Sequence, residues 1–146
     1  MSSAGLPHLV TMDVRGYPSL GALLLDALIM HKGETLLRAY RRKRLGSSWS
    51  GRDVHRHAER ITATLQEEGL EPGGRVAILA ENQPLWLVTA TGVFFAGGVV
   101  VPIDYKLNPD EQQALIAHSG AQVVVVDYGI WQAWDCLLYT SPSPRD

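Results

Sequence analysis

Cysteine is almost missing from this sequence: Cys136 is the only one in 146 residues. An internal disulfide framework is excluded, as is a zinc cluster built on thiolates, and a reducing cytoplasm is the default compartment. Charge of one sign is lacking too. Thirteen Lys and Arg face fifteen Asp and Glu, a formal net charge of -2, so no global excess points to nucleic acid or to an anionic membrane. Met1 to Thr11 has no basic stretch leading into a long apolar run, so no secretory signal is read there. The histidines do not cluster. His55 and His57 are two apart and would leave a helix in different directions, while His8, His31 and His118 stand alone, so no shared metal is expected. A G-x-G-x-x-G dinucleotide fingerprint is absent. Gly92, Gly97 and Gly98 have the glycine spacing of a phosphate loop, yet Gly98 and Val99 stand where Lys and Ser or Thr would be needed. These glycines read as helix packing and helix termination. Glu67-Glu68 and Asp110-Glu111 lie at helix ends, where capping or solvation explains them, and no Ser/His/Asp set follows from spacing. No catalytic, cofactor-binding or metal residue is assigned.

What is present is an ordinary globular composition, 46% hydrophobic and 19% charged, with length for one domain or part of a larger one. Ser19 caps a predicted helix with an apolar stripe at Leu20, Leu23, Leu24, Ala27 and Leu28. Glu34 to Tyr40 reads as a strand with Leu36, Leu37 and Tyr40 available to bury. A basic turn and a return strand at Ser47 to Ser50 would complete a hairpin. A helix follows to about Glu68, with Val54, Ala58, Ile61 and Leu65 on one face, and Gly69 ends it. After the Pro72-Gly73-Gly74 turn, Arg75 to Ala80 is a short strand apolar enough for burial on both faces. Asn82 and Pro84 start a third helix, stopped by Gly97-Gly98. Val99 to Val101 is read as another buried strand. Asn108-Pro109-Asp110-Glu111 starts a fourth helix ending at Ser119-Gly120, and Val123 to Val126 is a third apolar strand. Short apolar strands alternating with helices predict an α/β fold, a mostly parallel sheet flanked by helices.

Two features have a functional and a plain reading. Leu85 to Ile103 carries no charge, close to the roughly twenty residues of a membrane span, but Gly97, Gly98 and Pro102 interrupt it, and a buried helix, turn and core strand explain it better. The basic cluster of Arg38, Arg41, Arg42, Lys43 and Arg44 could grip phosphate or anionic lipid. The plainer reading, which we favour from sequence, is a solvated hairpin turn whose charges protect a sheet edge. Peripheral membrane contact stays open on this basis.

The last eleven residues, Cys136 to Asp146, read CLLYTSPSPRD and break with the pattern before them. The string resembles what one reading frame of a transposase-based sequencing adapter encodes. The expected organisation is therefore native sequence over residues 1–135 and a non-native tail over 136–146. The alternative is a native Pro/Ser-rich terminus.

Four stretches carry a family likeness. Ser48 to Asp53 resembles a Thr-Tyr-x-Glu-Leu helix start. Gly69 to Ile78 resembles a Gly-x-x-Pro-Gly-Asp-x-Val-Ala turn and strand. Glu81 to Trp86 resembles Asn-x-x-Glu-Trp, and Gly97 to Asp104 resembles Gly-Ala-x-x-x-Pro-Leu. Their order and spacing resemble the adenylate-forming superfamily of acyl-CoA synthetases, luciferases and peptide-synthetase adenylation domains. Gly74 replaces the usual Asp and Leu85 a frequent Glu, both at positions that read as structural. The resemblance implies the first, incomplete part of the large domain of an AMP-forming acid–thiol ligase. Such an enzyme joins a carboxylate to AMP from ATP, with magnesium, and passes the acyl group to coenzyme A. The wording Pro102 to Leu107 leans towards fatty acids. In the family the phosphates are held by a Ser/Thr/Gly-rich loop ending in Pro-Lys-Gly, by later motifs and by a distant lysine. None has a counterpart here, so the chain alone is expected to be inactive, to bind no cofactor itself and to be cytoplasmic. The rival is a small self-contained α/β binding or regulatory module.

Overall fold

The computed structural model describes residues 13–140 of the chain. The N-terminal signal reading and His8 lie outside them. After a 3-10 turn at Val14–Gly16 come α1 (Leu20–Met30), β1 (Thr35–Arg41), β2 (Arg44–Ser50), α2 (Gly51–Glu67), β3 (Arg75–Leu79) and α3 (Pro84–Phe95). β4 (Val99–Pro102), α4 (Pro109–Ser119), β5 (Val123–Val126) and α5 (Tyr128–Thr140) complete the order.

β3, β4 and β5 form a parallel sheet in the order β4-β3-β5. The alternation of β3 decides which layer covers which face. Val76 points to a core with Leu65 of α2 and Val93 and Ala96 of α3. Ala77 and Leu79 point the other way, to Ile103, Ile116 of α4 and Ile130 and Trp134 of α5. Helices thus lie on both faces, as expected from the sequence. Burial on both faces holds for β3 alone. β4 and β5 are sheet edges, and Val99 is 47% exposed, so their all-valine character does not report central placement. α5 was not anticipated, although Asp127 accepts the Gly129 N–H at 2.9 Å and Ile130 and Trp134 repeat at i, i+4. The helix continues through Cys136–Thr140, so no structural break marks the boundary that the sequence places after Asp135; residues 141–146 lie outside the described residues.

Local chemistry sets the helix ends. Ser50 and Asp53 form a reciprocal capping box on α2, and Asn108 and Glu111 another on α4. The Ser50 backbone N–H and hydroxyl hold the Asp53 carboxyl below its ordinary pKa. α3 departs from expectation. Its N-cap is Gln83, with no side-chain cap bond, because Pro84 at the first helical position leaves the residue before it, not Asn82, at the cap. The α1 stripe is also thinner than expected: Leu28 is buried and Leu20 is 48% exposed. Contact with α3 comes instead at Gly21, where a Cβ would overlap the Phe94 carbonyl.

β1 and β2 make a separate antiparallel hairpin. Leu37 and Trp49 pack beside Leu28, Val54 and Val88. Leu36 and Tyr40 do not bury as expected, since alternation sends them to the solvent face, where Tyr40 is 63% exposed. β2 starts at Arg44, three residues earlier than read from sequence, because the turn consumes only Arg42 and Lys43. Both have positive φ, 48° and 64°. A two-residue hairpin turn of this hand favours Asn-Gly, and side chains such as these pay about 1–2 kcal/mol per residue for the left-handed conformation. Arg42→Asn with Lys43→Gly is therefore expected to raise the unfolding free energy by about 1–2 kcal/mol, read as a higher urea midpoint at unchanged slope.

Candidate functional site at the carboxyl edge of the sheet

In open parallel sheets, ligands bind beyond the carboxyl ends of strands where successive crossovers run to opposite faces. β3 is such a place here. The crossover to β4 passes through α3 on one face, and the crossover from β4 to β5 passes through α4 on the other. The strand ends are in register, Ile78 beside Pro102 and Leu79 beside Val126, so the segments after each strand meet at one rim.

Two cavities open there. One, of about 410 Å³, lies between Asn82, Trp86 and the Pro102–Lys106 segment. The other, of about 290 Å³, lies between Gln83, Trp86, Thr89 and Asp127. Half-buried Trp86 is shared by both. Gln83 Nε2 donates to Asp127 Oδ2 at 3.2 Å, tying the end of β3 to the end of β5. The Asp104 carboxylate accepts the Lys106 backbone N–H at 2.9 Å, and the Lys106 ammonium lies 5.8 Å from the Tyr105 ring centroid. Beneath the rim, buried Gln112 donates to the carbonyls of Leu107 at 2.9 Å and Tyr105 at 3.2 Å. It accepts the Trp134 indole N–H at 2.9 Å. The loop after β4 is therefore anchored to α4 and α5.

The rim offers aromatic faces, amides and one cation. That suits holding a planar or polar group. Among the described residues it contains no nucleophile held by a base. Nor does any group of three His, Cys, Asp or Glu converge among the described residues. Two of the histidines weighed in the sequence have neighbours within α2 or beside it. His57 Nδ1 is 2.8 Å from the Asp53 carbonyl, and its ring meets Trp49 edge-on at 4.9 Å. His55 Nε2 lies 3.0 Å from Glu59 Oε1 without the alignment of a hydrogen bond. Gly92 packs α3 on α2 and Gly97 takes a φ of 72° after α3, the structural roles expected of them. The sequence marks Trp86 only as part of the Glu81–Trp86 likeness and marks neither Gln112 nor Trp134. Gln112 is a glutamine with only 3% exposure inside a helix of otherwise weak apolar periodicity, and nothing in its spacing marks it.

Comparison with known proteins agrees with this geometry. The family model described as AMP-binding enzyme matches residues 31–142. The chain is 37% identical over 65 residues to 4-hydroxybutyrate–CoA ligase 2 of Metallosphaera sedula, covering 44% of this chain and 12% of that protein. It is 37% identical over 100 residues to a long-chain-fatty-acid–CoA ligase of Rattus norvegicus, covering 60% of this chain and 14% of that one. The chain thus matches only a small part of the length of these relatives. The solved structure of the anthranilate CoA ligase AuaEII in complex with anthranoyl-AMP superposes with a TM-score of 0.73 at 20% identity, over 86% of this chain and 23% of that chain. At that identity the likeness concerns the fold.

Proposed function

Because this chain belongs to the AMP-binding enzyme family, we propose that residues 1–135 are the first part of the large domain of an ATP-dependent carboxylate-activating ligase. The whole enzyme would form an acyl-adenylate with release of pyrophosphate, then an acyl-CoA, with ATP, magnesium and coenzyme A supplied to the complete protein. The observation that carries the proposal is the family match across the hairpin, the β4-β3-β5 sheet and α5, joined to an acyl-CoA ligase fold. We assign the acid to the fatty class on the Pro102–Leu107 wording, which forms the loop anchored by Gln112. Residues 136–146 are, in this proposal, an adapter-derived tail, and the compartment is the cytoplasm. No helix among the described residues is long and apolar enough to cross a membrane.

In this reading the chain supplies scaffold and one rim of the site but not the groups that stabilise charge on the transferring phosphate, a large part of the catalysis. Exposed apolar side chains support it over a self-contained module. Leu85, Leu87 and Val99 are 47%, 51% and 47% exposed, and Val99 lies on β4, a sheet edge that no further strand covers among the described residues. The purified chain is expected to give no carboxylate-dependent exchange of pyrophosphate into ATP. Sequencing an untrimmed copy of the gene past the Asp135 codon is expected to reveal a Ser/Thr/Gly-rich loop ending in Pro-Lys-Gly. Clear exchange by the chain would overturn the placement of the machinery elsewhere.

A further inference from the structure

We propose that the tip of the β1–β2 hairpin docks on the surface of an anionic lipid bilayer. Between Glu34 and Asp53 the sequence has no acidic residue, and it carries Arg38, Arg41, Arg42, Lys43, Arg44 and Arg52; the other residues hold seven Lys and Arg against fifteen Asp and Glu. The net charge of the chain hides this separation. The register places Arg41 directly opposite Arg44, a like-charge pair that destabilises a hairpin. The turn between them forces Arg42 and Lys43 into the left-handed region, where Asn-Gly would sit without strain. All four are exposed. Among the described residues no carboxylate lies within ion-pair distance of them.

Edge protection does not explain this arrangement, because Arg42 and Lys43 lie in the turn between the strands and not along a strand edge. Four consecutive cations at a strained tip instead build a concentrated positive surface that cannot be buried inside more protein without heavy desolvation cost. The next pair inward favours lipid over a soluble polyanion. Tyr40 and Leu45 are cross-strand partners and are 63% and 56% exposed, so an amphipathic ring and an aliphatic side chain flank the cations. A basic cap with Tyr and Leu just behind it matches a layer of anionic headgroups over hydrocarbon. The proposal rests on charge and exposure and is independent of the acyl substrate.

The test is flotation of the whole chain with vesicles of phosphatidylcholine, with and without about 30% phosphatidylserine, at low and high salt. The chain is expected to float only with the anionic vesicles and to be released by salt. Arg42→Asn with Lys43→Gly removes two charges while relieving the turn. It is expected to fold at least as stably and yet partition about 25-fold less, taking roughly a fivefold loss per surface charge. The proposal fails if the chain stays at the bottom with anionic vesicles, or if the variant floats as well as the parent. It fails equally if the chain retards single-stranded RNA at a salt concentration where it does not float.

Discussion

Replacing Gln112 by leucine is expected to lower the unfolding free energy by about 3 kcal/mol. Leucine nearly matches the volume, so the loss measures hydrogen bonding more than packing. It strands the Trp134 indole N–H and the carbonyls of Tyr105 and Leu107, which Gln112 satisfies from a buried position. Each uncompensated group costs about 1–3 kcal/mol, reduced where water reaches the loop. Trp134→Phe removes only one of these bonds and is expected to cost about 1–2 kcal/mol. The double variant should fall short of the sum by about 1 kcal/mol, the mark of a shared network. Urea titration followed by far-ultraviolet circular dichroism measures all three. A Gln112→Leu midpoint equal to that of the parent would mean the loop after β4 is held by something else. The consequence reaches function, because that loop forms one wall of the proposed ligand rim.

Gly92→Val is the other large effect. A Cβ at this position would stand 2.7 Å from Ile61 Cγ2 and 3.0 Å from the Ala58 carbonyl oxygen, and Gly92 lies within the buried middle of α3. The Ile61 Cγ2 can turn away, but its Cβ, which would stand 2.8 Å off, and the Ala58 carbonyl move only if α2 and α3 separate. Overpacking of this kind costs about 3 kcal/mol. Any gain from replacing a helical glycine is small for a β-branched residue. Thr62 Oγ1, 2.9 Å from the Gly92 carbonyl, would lose its partner across the same interface. Adding Ile61→Ala should restore only part of the loss, since the carbonyl remains in place. Full restoration would show that side-chain crowding alone sets the helix spacing. A loss of this size is a large share of the 5–15 kcal/mol that ordinary domains possess.

Taken together, these predictions separate what is legible locally from what is not. The capping box at Asn108 and the left-handed glycine that follows α2, Gly69, were readable, because each depends on residues within three or four positions. The α2 stripe was readable because its spacing of four, three and four residues follows one helical face. Where a feature depends on partners far along the chain, reading failed. Valine runs look the same in a central strand and an edge strand, and only pairing made β3 central. Leu36, Leu37 and Tyr40 differ in burial because of which hairpin face meets α3. Gln112 and Trp134 meet because α4 and α5 pack on the same face of β3, and no spacing rule records that meeting. The shape of the turn also came late: the basic tip was visible as charge, but its strained φ values and its like-charged register are properties of the paired hairpin.

The sequence by itself determined the element types, their alternation and the family likeness, since short-range periodicity, caps and turn residues act within one or two turns of chain. Tertiary structure alone decided which strand is central and which side chains form the rim. Those outcomes depend on distances between residues tens of positions apart, which only packing sets.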